Sequence, residues 1–122
     1  MEENNPYPLY KAIKNKNLDE IRRIVNSDYD INTLDDEGEA AIHGAVRMGY
    51  VEGVRELLKN DTIIVAIRDT QYLFTPLMLA CEYGYLEIVK LLLPRMTDEE
   101  INLTNKWGDT ALIWSTKNTN VL

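Results

Sequence analysis

The chain reads as an all-α solenoid of short helix-turn-helix units joined by β-hairpin-like loops. Three observations predict it. Blocks of the sequence repeat at a spacing of 33 to 35 residues, the period of a stacked array and not of a single globular core. Apolar residues fall at helical spacing twice within each block. Helix-start and helix-stop residues recur at the same places in successive blocks.

The repeat is clearest in the middle. Ala40, Ala45, Gly49 and Tyr50 precede Thr75, Ala80, Gly84 and Tyr85, each by 35 residues. The match continues from Val51–Leu58 onto Leu86–Leu93. A later copy opens at Gly108-Asp109-Thr110-Ala111, with Thr110 again 35 residues after Thr75. A weaker copy comes first: Leu9, Ala12, Ile21 and Ile24 precede Ile42, Ala45, Val54 and Leu57, each by 33. The whole chain is therefore expected to be one domain of about three and a half units, approximately 5–34, 35–69, 70–104 and 105–122.

Local chemistry supports each element. Thr75-Pro76 reads as a helix start, because Thr caps orphan amides and Pro suits the first helical position. Gly49 and Gly84 end the first helix of their units, where glycine enters a left-handed turn at least cost. Ile88, Val89, Leu92 and Leu93 give the second helix an apolar face. Asp30-Ile31-Asn32 and Glu100-Ile101-Asn102 are read as the links leading into the next hairpin.

These units resemble ankyrin repeats. That family's pattern has an Asp, a Gly two residues before Thr-Pro-Leu-His, a small residue three after the Leu, a mid-repeat Gly-His and a Val-Leu-Leu run. The second unit carries Asp35, Gly38, Ile42-His43, Ala45, Gly49 and Leu57-Leu58. The third carries Thr75-Pro76-Leu77, Ala80, Gly84, Ile88-Val89 and Leu92-Leu93. The resemblance runs from about Leu9 to the end of the chain. Two departures stand out. Leu73 replaces the hairpin glycine of the third unit, whose long loop (Asn60 to Phe74) is rich in Ile and Val, so this finger is expected to bulge and pack on a neighbour. Lys16 replaces the mid-repeat glycine of the first unit, as a divergent capping unit would allow. The sequence stops at Val121-Leu122, where a second helix is due; this suggests a fragment of a longer array, with Leu112, Ile113 and Trp114 on the open end and Trp114 assigned to packing between units.

The resemblance implies a protein-binding module, a scaffold or adaptor, whose partner lies on the concave face of hairpin tips and first helices. Mapped onto this chain, that face offers Asp36, Glu37, Glu39, Arg47 and Met48 from the second unit. The third offers Gln71, Tyr72, Phe74, Glu82 and Tyr83, and the last Lys106, Trp107 and Asp109. Four of these thirteen are aromatic, against 8% of the chain, which suggests either a strip of anchors or rings packed against neighbouring hairpins, Phe74 above all. The alternative is a regulatory or targeting arm of a larger enzyme whose catalytic part lies outside this sequence.

Catalysis by the array itself is not expected. His43, the one histidine, stands in a structural position of the repeat and has no Cys or carboxylate at a ligand spacing. Cys81, the one cysteine, follows Ala80 where a small buried residue belongs. The acid runs Asp35-Asp36-Glu37 and Asp98-Glu99-Glu100 lack the spaced oxygens of a calcium loop. No metal or other cofactor is expected. The formal net charge of −7 argues against nucleic-acid binding and against an anionic membrane surface. A single cysteine and no signal-like start suit a monomeric cytoplasmic protein.

Overall fold

A computed structural model of the chain describes residues 7–113. The first helix, α1 (Pro8–Lys14), is followed by α2 (Leu18–Val25), α3 (Ala41–Arg47) and α4 (Val51–Leu58). Then come α5 (Pro76–Tyr83), α6 (Leu86–Leu92) with a 3-10 turn at Leu93–Arg95, and α7 (Asp98–Ile101). Residues 111–113 begin a further helical stretch.

The helices form two layers. α1 packs on α3 and α3 on α5; α2 packs on α4 and α4 on α6. Within each unit the two helices form an antiparallel pair. Every residue of the repeat ladder is buried between them: Leu9, Ala12, Ile21 and Ile24 in the first unit, and Ile42, Ala45, Val54 and Leu57 in the second. Leu77, Ala80, Val89 and Leu92 fill the same places in the third. Burial of one stripe per helix against its neighbours is what holds such short helices, since seven or eight residues are too few to be stable alone.

The expected stops and starts are present. Thr75 Oγ1 accepts the Met78 amide at 3.1 Å, with Pro76 opening α5. Gly49 and Gly84 take φ of 64° and 76°. Lys16 occupies the corresponding turn at φ 53° without glycine's freedom.

Between units the chain forms hairpin-like fingers; no strand occurs among the described residues. The Asp35 amide donates to the Glu39 carbonyl at 2.8 Å, and Asn105 to Asp109 at 2.9 Å. In the middle finger Asp69 reaches Phe74 instead, at 3.1 Å, so this loop carries one extra residue. Leu73 sits there at φ 60°, in the slot that Gly38 and Gly108 fill at 78° and 82°. The loop leading up to it packs as its composition suggested: Val65 and Ala66 are buried and Ile63 and Ile67 partly so, though Ile64 is exposed.

In the last link Glu100-Ile101 belongs to α7, a single turn that leads into the next finger. Thr97 Oγ1 accepts the Glu100 amide at 3.1 Å and Glu100 Oε1 accepts the Thr97 amide at 2.9 Å. That reciprocal pair closes a helical turn, whereas Asp28–Asp30 are not helical. Trp114 and the rest of the last unit lie outside the described residues.

Candidate partner-binding face

The thirteen mapped residues lie on the fingers or at the C-terminal ends of α3 and α5. The aromatic ones fall into two groups instead of a single strip. At the tips of the second and third fingers, Tyr72 stacks on Trp107 with centroids 5.6 Å apart and planes 15° apart. Phe74 lies 6.3 Å from Tyr72 and 6.2 Å from Trp107. Trp107 remains 60% exposed and Tyr72 42%, whereas Phe74 is half-buried beneath them.

The backbone under these rings is firmly held. Asp69, itself 2% exposed, accepts the amides of Gln71, Tyr72 and Leu73 on Oδ1 and that of Phe74 on Oδ2. The Tyr72 carbonyl accepts the Lys106 amide at 2.8 Å, joining finger to finger, as the Gly38 carbonyl accepts Thr70 at 3.1 Å. The Gln71 side chain donates back to the Glu37 carbonyl at 3.1 Å.

The second group is built on Arg47 at the end of α3. Its Nε and Nη2 donate to Glu39 Oε2 at 2.9 and 2.6 Å, and its Nη1 to the Tyr83 hydroxyl at 3.2 Å. Tyr83 stacks on Tyr85 at 5.6 Å, and Tyr85 lies against Gly49. Burial works to lower the Arg47 pKa, but the bonded Glu39 carboxylate outweighs it and holds the guanidinium above its ordinary value. Arg47 and Glu39 therefore neutralise one another. Asp36, Glu37 and Glu82 stay exposed as the acidic part of the face, with Met48 and Lys106 also exposed and Asp109 partly buried.

A cleft of about 310 Å³ opens between the two groups, lined by Tyr10, Glu37, Glu39, Arg47, Gln71 and Tyr72. A second hollow of about 330 Å³ adjoins it at Tyr10 and Glu37 and is walled by Tyr7 and Asp36. The Tyr7 hydroxyl donates to Asp36 Oδ1 at 2.8 Å, and that bond raises the phenol's pKa. Tyr10 lies over Gly44, where any Cβ would meet its ring at 3.2 Å. Sequence reading missed both tyrosines. The repeat register sets Tyr10 level with His43, a buried slot, so it gave no sign that the ring lies at the surface; the α1–α3 pairing across the repeat was the signal that could have found it.

His43 is fully buried and keeps to structural bonds. Its Nδ1 accepts the Ala40 amide at 3.0 Å, which leaves the proton on Nε2 to be donated to the Phe74 carbonyl at 3.0 Å. Burial lowers its pKa, opposed by the Phe74 carbonyl. Cys81 is buried in α5, which pushes its thiol from 9.0 up to about 11. Among the described residues no three His, Cys, Asp or Glu side chains group as a metal site, and no helix is long and apolar enough to cross a membrane.

Paired helices stacked in two layers and joined by finger-like loops define a repeat-built array. The chain belongs to the ankyrin-repeat family. A family model described as ankyrin repeats (3 copies) matches residues 1–69, and one described as ankyrin repeats (many copies) matches residues 57–113. A curated relative is the ankyrin repeat protein nuc-2 of Neurospora crassa, 38% identical over 88 residues. The match covers 70% of this chain but only 8% of that protein. Ankyrin repeats are in general protein–protein interaction modules.

Proposed function

We propose that this array is a scaffold or adaptor which binds a protein partner on the face formed by its hairpin tips and first helices. It acts by steric recognition and not by catalysis, as a monomer in the cytoplasm. The observation that carries the reading is the Tyr72–Trp107 stack. Two large rings remain substantially exposed while Asp69 and the Lys106 amide fix the backbone beneath Tyr72. Anchors already held in place lose little entropy on binding, which is what makes aromatic residues effective at interfaces. The exposed Asp36, Glu37 and Glu82 would favour a basic rim on the partner.

A second reading, a regulatory or targeting arm of a larger enzyme whose catalytic part lies outside this sequence, draws support from the small share of the Neurospora relative that this chain spans. The two readings use the same face.

The test compares the native chain with a Tyr72→Ala, Tyr83→Ala, Trp107→Ala variant in pull-downs from host lysate, after circular dichroism shows equal helix content. Proteins retained by the native chain are expected to be lost with the variant. Identical retention by both would move the interface away from these rings.

A further inference from the structure

The second-helix layer carries a feature of the opposite charge. Arg22, Arg55 and Lys90 are spaced by 33 and 35 residues, the spacing of the repeat itself. Stacking therefore lines them up across α2, α4 and α6. Their place in the last turn suits the helix dipole, and the acids Asp19 and Glu20, Glu52 and Glu87 occupy the first turns. A basic band therefore runs along their C-terminal ends, with Glu56 set among its cations.

The dipole does not account for what lies inside that band. Between α4 and α6 a groove of about 430 Å³ is lined by Leu58, Leu91 and Pro94, and rimmed by Arg55, Lys59, Lys90 and Arg95. Its local acids are already engaged. Glu56 Oε2 takes Lys59 at 2.9 Å and Arg22 at 3.2 Å, and Glu87 pairs loosely with Arg55 at 3.4 Å. No carboxylate among the described residues is paired with Lys90. Arg95 donates one Nη1 bond to the Leu58 carbonyl at 2.8 Å, which holds the guanidinium at the groove with other donors still available.

We propose that this groove binds a short acidic segment of a partner protein, with an apolar side chain on Leu58, Leu91 and Pro94 and carboxylates on Lys90, Arg95 and Arg55. Charge complementarity selects this occupant. A chain of net charge −7 repels large polyanions and anionic membranes at long range. A short peptide engages the band within about one Debye length, roughly 8 Å at physiological salt, where the local cations dominate. The site lies between α4 and α6 and shares no lining residue with the face proposed above.

The probe is a fluorescein-labelled peptide of alternating Glu and Leu, with its Glu→Gln counterpart as control, measured by fluorescence anisotropy on the full chain. The native chain is expected to bind the Glu peptide, more weakly as salt is added, and to ignore the Gln peptide. An Arg55→Glu, Lys90→Glu variant, both positions exposed, is expected to lose affinity by about tenfold or more with unchanged circular dichroism. A Tyr72→Ala, Trp107→Ala variant is expected to bind as the native chain does. Equal binding by the charge-reversed variant, or equal binding of the Gln peptide, would overturn the proposal. Loss only in the aromatic variant would place the peptide on the finger face and overturn the groove while leaving the first reading intact. Binding to phosphatidylserine–phosphatidylcholine vesicles without binding to the peptide would assign the groove to a membrane instead. In sedimentation velocity, a dimer that Lys90→Glu abolishes would assign it to a second copy of the chain.

Discussion

His43 joins two units through one ring. It accepts the Ala40 amide, which is buried, and donates to the Phe74 carbonyl, which is partly buried. Replacing it with Ala would orphan both and is expected to cost about 2–4 kcal/mol in urea unfolding. Its burial also sets a pH dependence. The folded pKa lies below the ordinary 6.5, so the unfolded chain takes up the proton first as pH falls. The stability linked to His43 is complete above pH 6.5 and is lost as pH drops through the folded value. The urea midpoint is therefore expected to fall between about pH 7 and pH 5, and less steeply in a His43→Gln variant. Cys81 is the second residue with a clear expectation. With its pKa near 11 and no exposed surface, a disulfide reagent at neutral pH should leave it unmodified in the native state and modify it fully in denaturant. Rapid modification of the folded protein would show that α5 opens locally.

At the scale of the element, the middle finger depends on one carboxylate. Asp35 serves a finger of ordinary length with two amide bonds to Oδ1, from Glu37 and Glu39. Asn105 does the same for Trp107 and Asp109, but its Nδ2 is buried without a partner. Asp69 has an extra residue to hold and accepts four amides with both oxygens. An Asp69→Asn change would turn an acceptor into a donor facing the Phe74 amide. The expected cost is about 1–3 kcal/mol, with a shift in the tryptophan fluorescence as Tyr72 leaves Trp107. The need for an aspartate here was not legible in the sequence, because the bulge appears only when Asp69–Phe74 is set beside Asp35–Glu39. The helices were legible, because the repeat spacing marks the same buried slots three times over. Of the face, Tyr72, Tyr83 and Trp107 could be mapped from the register, but not the pairing of Tyr72 with Trp107 and of Tyr83 with Tyr85. Nor could the mutual neutralisation of Arg47 and Glu39, since each depends on how the side chains are turned in the folded stack.

At the scale of the whole molecule, each unit touches only its neighbours, so position along the stack decides how far a defect spreads. Leu57 and Leu9 are both fully buried, yet Leu57 lies in α4 between α2 and α6 while Leu9 lies in α1 at the outer edge of the described stack. Either change to Ala should cost about 2–5 kcal/mol locally. Native-state hydrogen exchange is expected to show lost protection confined to α1 and α2 for Leu9→Ala, and spread over α1 to α6 for Leu57→Ala. Uniform loss in both would mean that the array unfolds as one unit.

The bonds across the unit boundaries have one further consequence. The Asn60 amide caps the Val25 carbonyl at the end of α2, and Arg95 caps Leu58 at the end of α4, each reaching back about one repeat length. Asn32 likewise bonds the Thr62 carbonyl and the Ile64 amide one finger ahead. The junctions between the first three units are thus closed in part by side chains that travel with their own block of sequence. A cassette such as residues 41–75 could then be duplicated in frame by recombination, and its copy would bring most of the groups needed to join it to its neighbours. Array length is accordingly a property that evolution, or an engineer, can change without rewriting the residues on either side.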